Sequence, residues 1–157
     1  MKKNTTLKTH IGYWINRLQT RVDQAFETRL KEYGVTGGQW CVLISLFDKQ
    51  AGSVTSLAKY IEISKPVVSR TIEQLVKKDL VLVLKGEDRR SEKILLTKKA
   101  VKLVPLLIKE ASDVESHFFS CLSQKELQQL KAILKILFIN KTKITPSGWL
   151  IEETNYE

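Results

Sequence analysis

The chain has 157 residues, 43% of them hydrophobic and 27% charged, a composition that is ordinary for one globular domain with a core of its own. No apolar run approaches the ~20 residues of a membrane span, and the N-terminal segment lacks the apolar region of a secretory signal. These features predict a soluble, cytoplasmic protein, and the net charge of +9 favours a polyanionic partner.

The N-terminal part of the chain has helical periodicity. Apolar residues recur every three or four positions over residues 7–33, which predicts a long first helix that Gly34 ends. Thr36 and Gln39 have the spacing of a capping box and predict the start of a second helix. Residues 51–53 are predicted to end that second helix.

Two shorter helices are predicted next, and the second of them has a basic outer face. Thr55 is predicted to cap the first and Ser64 the second, with Pro66 tolerated in the first turn. The inward stripe of the second helix is predicted to be Val68, Ile72 and Leu75. Its outward residues are then Lys65, Val67, Ser69, Arg70 and Gln74. Two helices joined by a tight connection, the second longer and outwardly polar, predict a helix-turn-helix.

A basic hairpin is predicted directly after these helices. Two apolar runs, residues 80–84 and 93–97, flank the segment Lys85–Ser91, which contains Gly86, Arg89 and Arg90. Such a hairpin tip contributes little apolar surface to a core, but its basic side chains can reach phosphates or a narrow groove of DNA. The combination predicts a winged helix-turn-helix that binds DNA. Net charge supports this only weakly, because residues 64–96 hold eight basic and five acidic residues and therefore carry only +3.

The C-terminal part is predicted to contain two further helices. Thr97 is predicted to cap a long helix, in which Pro105 either introduces a kink or marks the true start. Ser123 and Glu126 have the spacing of a capping box and predict a final helix. Residues 145–148 are predicted to end the regular structure and to leave a loosely held tail.

The fold class is therefore mainly α with a small β-hairpin: a winged helix-turn-helix with N- and C-terminal helices that form a dimerisation region. The outer helices carry more apolar surface than a domain of about 60 residues can cover, so we expect a homodimer. A monomer with an intramolecular helix bundle is the alternative. The predicted domains are dimerisation helices at 1–34 and 98–140, a DNA-binding domain at 35–97 and a tail at 141–157.

The order of these elements resembles the MarR family of bacterial regulators, and within it the SlyA-like branch. Val35–Leu43 looks like the family's entry to its second helix, and Ser64–Val81 looks like its recognition helix and exit. Asp88–Thr97 matches the wing signature, D-x-R followed by L-T. The resemblance extends over about residues 7–140. Asp79 replaces a glycine that is common after the recognition helix, although Asp tolerates the left-handed conformation better than most residues.

The resemblance implies a homodimeric, nucleoid-associated regulator that binds pseudo-palindromic duplex DNA and often controls its own operon. It also implies release from DNA by small aromatic acids or by thiol oxidation. The recognition helix would enter the major groove, and Arg90 would insert into the minor groove, where A·T-rich sequence deepens the negative potential. Asp88 would pair with Arg90 and hold its guanidinium in the reaching position.

The candidate site residues fall into two groups. The candidate DNA-binding residues are Lys65, Pro66, Val67, Ser69, Arg70, Lys85, Asp88, Arg89 and Arg90. The candidate effector-binding residues are His10, Tyr13, Trp14 and Arg17. Arg17 would pair with a carboxylate and Trp14 would stack on a ring, although both could instead belong to the dimer interface.

Other classes of function are less consistent with the sequence. It has no Gly-rich phosphate loop, no metal-ligand spacing and no plausible nucleophile–base pair, so we predict neither an enzyme nor a metal or cofactor site. Single-stranded DNA and RNA are disfavoured, because the predicted outward faces lack stacking aromatics. Two alternatives remain: a winged-helix module used only for protein contact, and a redox regulator that acts through Cys41 or Cys121.

Overall fold

The computed structural model describes residues 6–85 and 92–139 in full, and the backbone alone of residues 142–145 and 148–151. The chain forms two compact units, Met1–Glu115 and Ser116–Glu157. The described residues are mainly helical with a two-stranded antiparallel hairpin, which confirms the predicted fold class. None of the helices in the described ranges combines the length and apolarity needed to cross a membrane.

The first unit contains the predicted helices and hairpin in the predicted order. A short 3₁₀ helix, Leu7–Thr9, precedes the first α-helix. The elements are α1 (Ile11–Glu32), α2 (Gly37–Phe47), α3 (Val54–Ile61), α4 (Lys65–Lys77), β1 (Val81–Lys85), β2 (Glu92–Leu96) and the larger part of α5 (Lys98–Phe119). Helix α5 begins at Lys98, so Pro105 lies inside it and does not mark its start.

One apolar core joins every element of this unit from α1 to α5. Its fully buried side chains include Leu30, Leu43, Leu57, Leu75, Val81, Ile94 and Val104. The predicted inward stripe of α4 is confirmed, because Val68, Ile72 and Leu75 are all buried in this core. Burying side chains of this size stabilises the fold by about 1.5–3 kcal/mol each. The core therefore fixes which face of α4 is turned to solvent.

Two of the predicted helix caps differ from the structure. Ser53, not Thr55, caps α3, since Ser53 Oγ accepts from the Ser56 backbone N–H at 3.1 Å. Ser64 is the N-cap residue of α4, but its side chain makes no capping hydrogen bond. Pro66 has no N–H to donate, and the Val67 N–H donates instead to the Ser64 carbonyl at 3.1 Å.

The second unit contains the end of α5, α6 (Gln124–Ile139) and a second hairpin. The capping box predicted at the start of α6 is confirmed, with the Ser123 N–H donating to Glu126 Oε2 at 2.8 Å. The tail was predicted to lack regular structure, and this was wrong, because β3 (Thr142–Thr145) pairs antiparallel with β4 (Gly148–Ile151). β-Branched and aromatic residues on both sides of a short connection favour such pairing.

Candidate nucleic-acid interface

Helix α4 presents a basic and apolar face to solvent, opposite its buried stripe. Lys65, Val67 and Arg70 are exposed, as is Pro66, while Ser69 is half-buried. Val67 is 49% exposed, so this face also offers an apolar side chain. Guanidinium and ammonium groups on such a face can donate to phosphate oxygens or to guanine, and a valine methyl can contact a thymine methyl.

A polar network around the buried Gln39 holds the end of α4 against the start of α2. Gln39 is 3% exposed, and its Nε2 donates to Gln74 Oε1 at 2.9 Å. Gln39 Oε1 accepts from Lys78 Nζ at 2.7 Å and from the Thr36 N–H at 3.3 Å. Lys78 Nζ also donates to the Gly34 carbonyl at 2.6 Å. The orientation of α4 thus depends on hydrogen bonds to the α1–α2 junction as well as on apolar packing.

Sequence reasoning recognised only the capping role of Gln39. That role is confirmed, because Thr36 Oγ1 accepts from the Gln39 N–H and the Gln39 side chain accepts from the Thr36 N–H. Its second role, contact with α4, has a weak signal in the sequence. A buried carboxamide needs several partners, and α2 offers few of them because its sequence is otherwise mostly apolar.

Thr97 joins the end of α4, the hairpin and α5. Its Oγ1 donates to the Asp79 carbonyl at 2.9 Å and accepts from the Ala100 N–H at 3.1 Å, so the predicted cap of α5 is confirmed. Its backbone N–H donates to the Leu80 carbonyl at 3.1 Å. Asp79 has φ 55°, the left-handed conformation that the sequence predicted it to tolerate. The chain can therefore turn sharply from α4 into β1.

The hairpin is anchored at its base and carries the predicted wing at its far end. Strands β1 and β2 pair from Val81↔Leu96 to Lys85↔Glu92. Ile94 is buried, and its N–H donates to the Gly52 carbonyl at 2.9 Å, which ties β2 to the α2–α3 connection. Lys85 is exposed at the last pair before the tip. Asp88, Arg89 and Arg90 lie outside the described residues.

Three of the four candidate effector residues lie together on α1. Tyr13, Trp14 and Arg17 line a shallow cleft of about 320 Å³ with Lys8, Leu18 and Arg21. The Trp14 and Tyr13 rings pack edge to face with their centroids 5.2 Å apart, and Trp14 Nε1 donates to the Lys8 carbonyl at 2.9 Å. His10 is the N-cap residue of α1 and is not among the residues that line this cleft.

The two cysteines differ in their surroundings. Cys41 on α2 is half-buried, and burial raises the pKa of its thiol above the ordinary value, which lowers the thiolate fraction at neutral pH. Cys121 is exposed. Across the part of the chain that the structure describes, no three His, Cys, Asp or Glu residues are grouped so that they could hold a metal ion.

The comparisons agree with this architecture. The sequence profile of the MarR family matches residues 35–91. An uncharacterized HTH-type transcriptional regulator of Bacillus subtilis, YwoH, is 29% identical over 133 residues, which are 76% of this chain and 96% of that protein. The HTH-type transcriptional activator ArnR1 of Sulfolobus acidocaldarius is 30% identical over 107 residues, which are 66% of this chain but only 40% of that protein.

Solved structures of the same fold cover most of the chain. A MarR transcriptional regulator from Methanosarcina mazei has a TM-score of 0.76 and is 30% identical, covering 83% of this chain and 94% of that one. The MepR–DNA complex of Staphylococcus aureus has a TM-score of 0.76 at 24% identity, covering 82% of this chain and 96% of that one. The second likeness shows the fold alone.

The Gln39 network predicts a specific loss of stability. In a Gln39→Leu variant the Gln74 carboxamide and the Lys78 ammonium lose a partner, so we expect the free energy of unfolding to fall by about 1–3 kcal/mol. Urea unfolding at matched protein concentration, followed by tryptophan fluorescence, measures this. Gln19→Leu, at an exposed position of α1, is the control and should stay within about 0.5 kcal/mol. Equal urea midpoints for the Gln39→Leu and Gln19→Leu variants would contradict a stabilising role of the Gln39 network.

Proposed function

Because the chain belongs to the MarR family, we propose that it is a transcriptional regulator that binds pseudo-palindromic double-stranded DNA as a homodimer. The observation that carries the proposal is the exposed basic face of α4, which the core and the Gln39 network hold in a fixed orientation. Lys65 and Arg70 provide cations on this face, and Val67 provides an apolar contact. In the proposed complex α4 lies in the major groove.

The hairpin is proposed to supply the second contact. Its sequence carries Asp88, Arg89 and Arg90 beyond Lys85, and we assign Arg90 to the minor groove with Asp88 as its orienting partner. Lys85 and Arg89 are assigned to phosphates, which fix register but do not read sequence. This wing sequence is also the basis for placing the chain in the SlyA-like branch. The hydrogen bonds of Ile94 to Gly52 and of Thr97 to Leu80 support a defined position of β1 and β2 relative to α4.

Pro66 and Ser69 are assigned supporting roles on α4. Pro66 gives the first turn a fixed backbone conformation, so the positive end of the α4 dipole can approach a phosphate. Ser69 is short and half-buried, so its hydroxyl can donate or accept a hydrogen bond with a base edge that lies close to α4. Both roles depend on α4 entering the groove with its N-terminal half.

Homodimerisation is proposed from the apolar surface of two elements. None of the residues of α6 that the structure describes in full is buried, and Ile133, Leu134, Ile136, Leu137, Phe138 and Ile139 are each at least 47% exposed. Near the start of α1, Leu7, Ile11, Trp14, Ile15 and Leu18 are at least 41% exposed. Monomeric proteins rarely expose apolar patches of this extent. A second copy related by a two-fold axis would cover them and would match a palindromic site.

The cleft on α1 is the proposed effector site. Arg17 would pair with the carboxylate of a small aromatic acid, and Trp14 would stack on its ring. Tyr13 and Trp14 already meet edge to face, which keeps both rings at the cleft. His10, the N-cap residue of α1, would lie at the margin of this cleft. Binding of such an acid would change the arrangement of the dimer that α1 helps to form, and this change would alter the affinity for DNA.

Arginine substitutions test the DNA interface. We expect Arg70→Ala and Arg90→Ala each to weaken binding to a duplex from the chain's own upstream region by at least ~1 kcal/mol, about fivefold, with fold and dimer intact. Fluorescence anisotropy measures the affinity, and Lys102→Ala, at an exposed position of α5, is the control for loss of one charge. Unchanged affinity in both arginine variants would contradict DNA binding through α4 and the wing, and would favour a protein-contact module.

A charge within the apolar face of α6 tests the dimer. We expect Leu137→Glu to sediment as one chain of 18.0 kDa, and the unchanged protein as a particle of twice that mass. Leu137 is 55% exposed, so the substitution should leave the helical circular dichroism signal unchanged. Lys135→Glu, an exposed polar position of the same helix, is the control and should remain dimeric. If the protein without substitutions sediments as a monomer, the proposed dimer is contradicted and the monomeric alternative is favoured.

A further inference from the structure

A cleft of the first unit lies beside the hairpin and is lined by none of the residues assigned to DNA. Its volume is about 660 Å³, and it is bounded by the end of α2, the α2–α3 connection, β2 and the start of α5. We call it the hairpin cleft. Its lining includes Leu46, Phe47, Ile94, Val101, Lys49 and Lys93. Volumes of 300–1,000 Å³ are typical of sites for small molecules.

The lining combines apolar walls with two lysines. Among the described residues that line the cleft, Lys49 and Lys93 are charged and none is acidic. Among the residues that the structure describes, neither lysine forms a salt bridge. An anion that enters the cleft would therefore pair with positive charge without having to displace a carboxylate of the lining. Its apolar part would move out of water and pack against Phe47 and the neighbouring apolar side chains.

The backbone beside the cleft gives it a defined shape. The hydrogen bond from the Ile94 N–H to the Gly52 carbonyl, 2.9 Å long, joins two of its walls. Ile94 and Leu46 are both buried, so these walls continue directly into the apolar core. Lys49 has φ 56°, the left-handed conformation at the end of α2, where the chain turns towards Gly52. The cleft is thus part of the packed body and contains two cations at its edge.

We propose that the hairpin cleft is a binding site for a small apolar monoanion, whose carboxylate pairs with Lys49 and Lys93 while its ring or chain packs on Phe47 and Val101. This site is separate from the cleft on α1, which is lined by a different set of residues. Binding here does not require DNA, so it can be tested whether or not the proposed regulatory function holds.

The experiment uses 2-naphthoate as the probe and 2-naphthamide as its uncharged counterpart. Both are titrated into the full chain, labelled with ¹⁵N, and backbone amide shifts are followed. We expect saturable shifts with 2-naphthoate centred on Gly52 and the residues of β2, and at least fivefold weaker binding of 2-naphthamide. In Lys49→Gln/Lys93→Gln the naphthoate affinity should fall at least fivefold to the level of the amide. Both lysines are exposed, so the fold should be retained.

The controls separate this site from general attraction of anions. Lys102→Gln/Lys125→Gln removes the same total charge from exposed positions outside the cleft and should bind 2-naphthoate as the unchanged protein does. Ala51→Leu adds bulk to the wall and should weaken the acid and the amide alike. Equal binding of acid and amide, equal loss in both double variants, or shifts confined to the α1 cleft around Trp14 would each overturn the proposal.

Discussion

The position of α4 depends on two different attachments, one apolar and one polar. Val68, Ile72 and Leu75 bury one face in the core, while Gln39 holds the C-terminal end through Gln74 and Lys78. Apolar packing alone would permit small rotations of a helix, since it has no directional component. Hydrogen bonds with defined geometry restrict them. The proposed role of α4 in the major groove needs this restriction, because a displacement of about an ångström would move its side chains away from base edges.

The hairpin is fixed relative to α4 by a small number of backbone contacts. Thr97 donates to the carbonyls of Asp79 and Leu80, and the Gly52 carbonyl accepts from the Ile94 N–H at the middle of β2. One set lies where β1 begins and β2 ends, and the other at their middle pair, Val83↔Ile94, so together they hold the described strands against the rest of the first unit. The same arrangement leaves the hairpin cleft beside the base, where an occupant would contact both β2 and the α2–α3 connection.

The sequence predicted the elements better than it predicted their connections. Periodicity and capping signals identified the six helices, because these signals are local. The cap of α3 was misplaced by two residues, since Ser53 and Thr55 both suit an N-cap and only the backbone conformation decides between them. The contact of Gln39 with α4 has only a weak signal in the sequence and the hairpin cleft has none, because each joins residues that are far apart in sequence. The strands β3 and β4 were missed because their connecting residues also suit a chain end.

The salt dependence of duplex binding tests the central claim most directly, namely that the exposed face of α4 and the hairpin bind the phosphates of double-stranded DNA. The affinity for a duplex from the chain's own upstream region should be measured between 50 and 200 mM KCl. If a dimer neutralises about six phosphates or more, the logarithm of the affinity falls linearly with the logarithm of the salt concentration, and the affinity drops by roughly 10³-fold. An affinity that stays constant across this range would contradict the account.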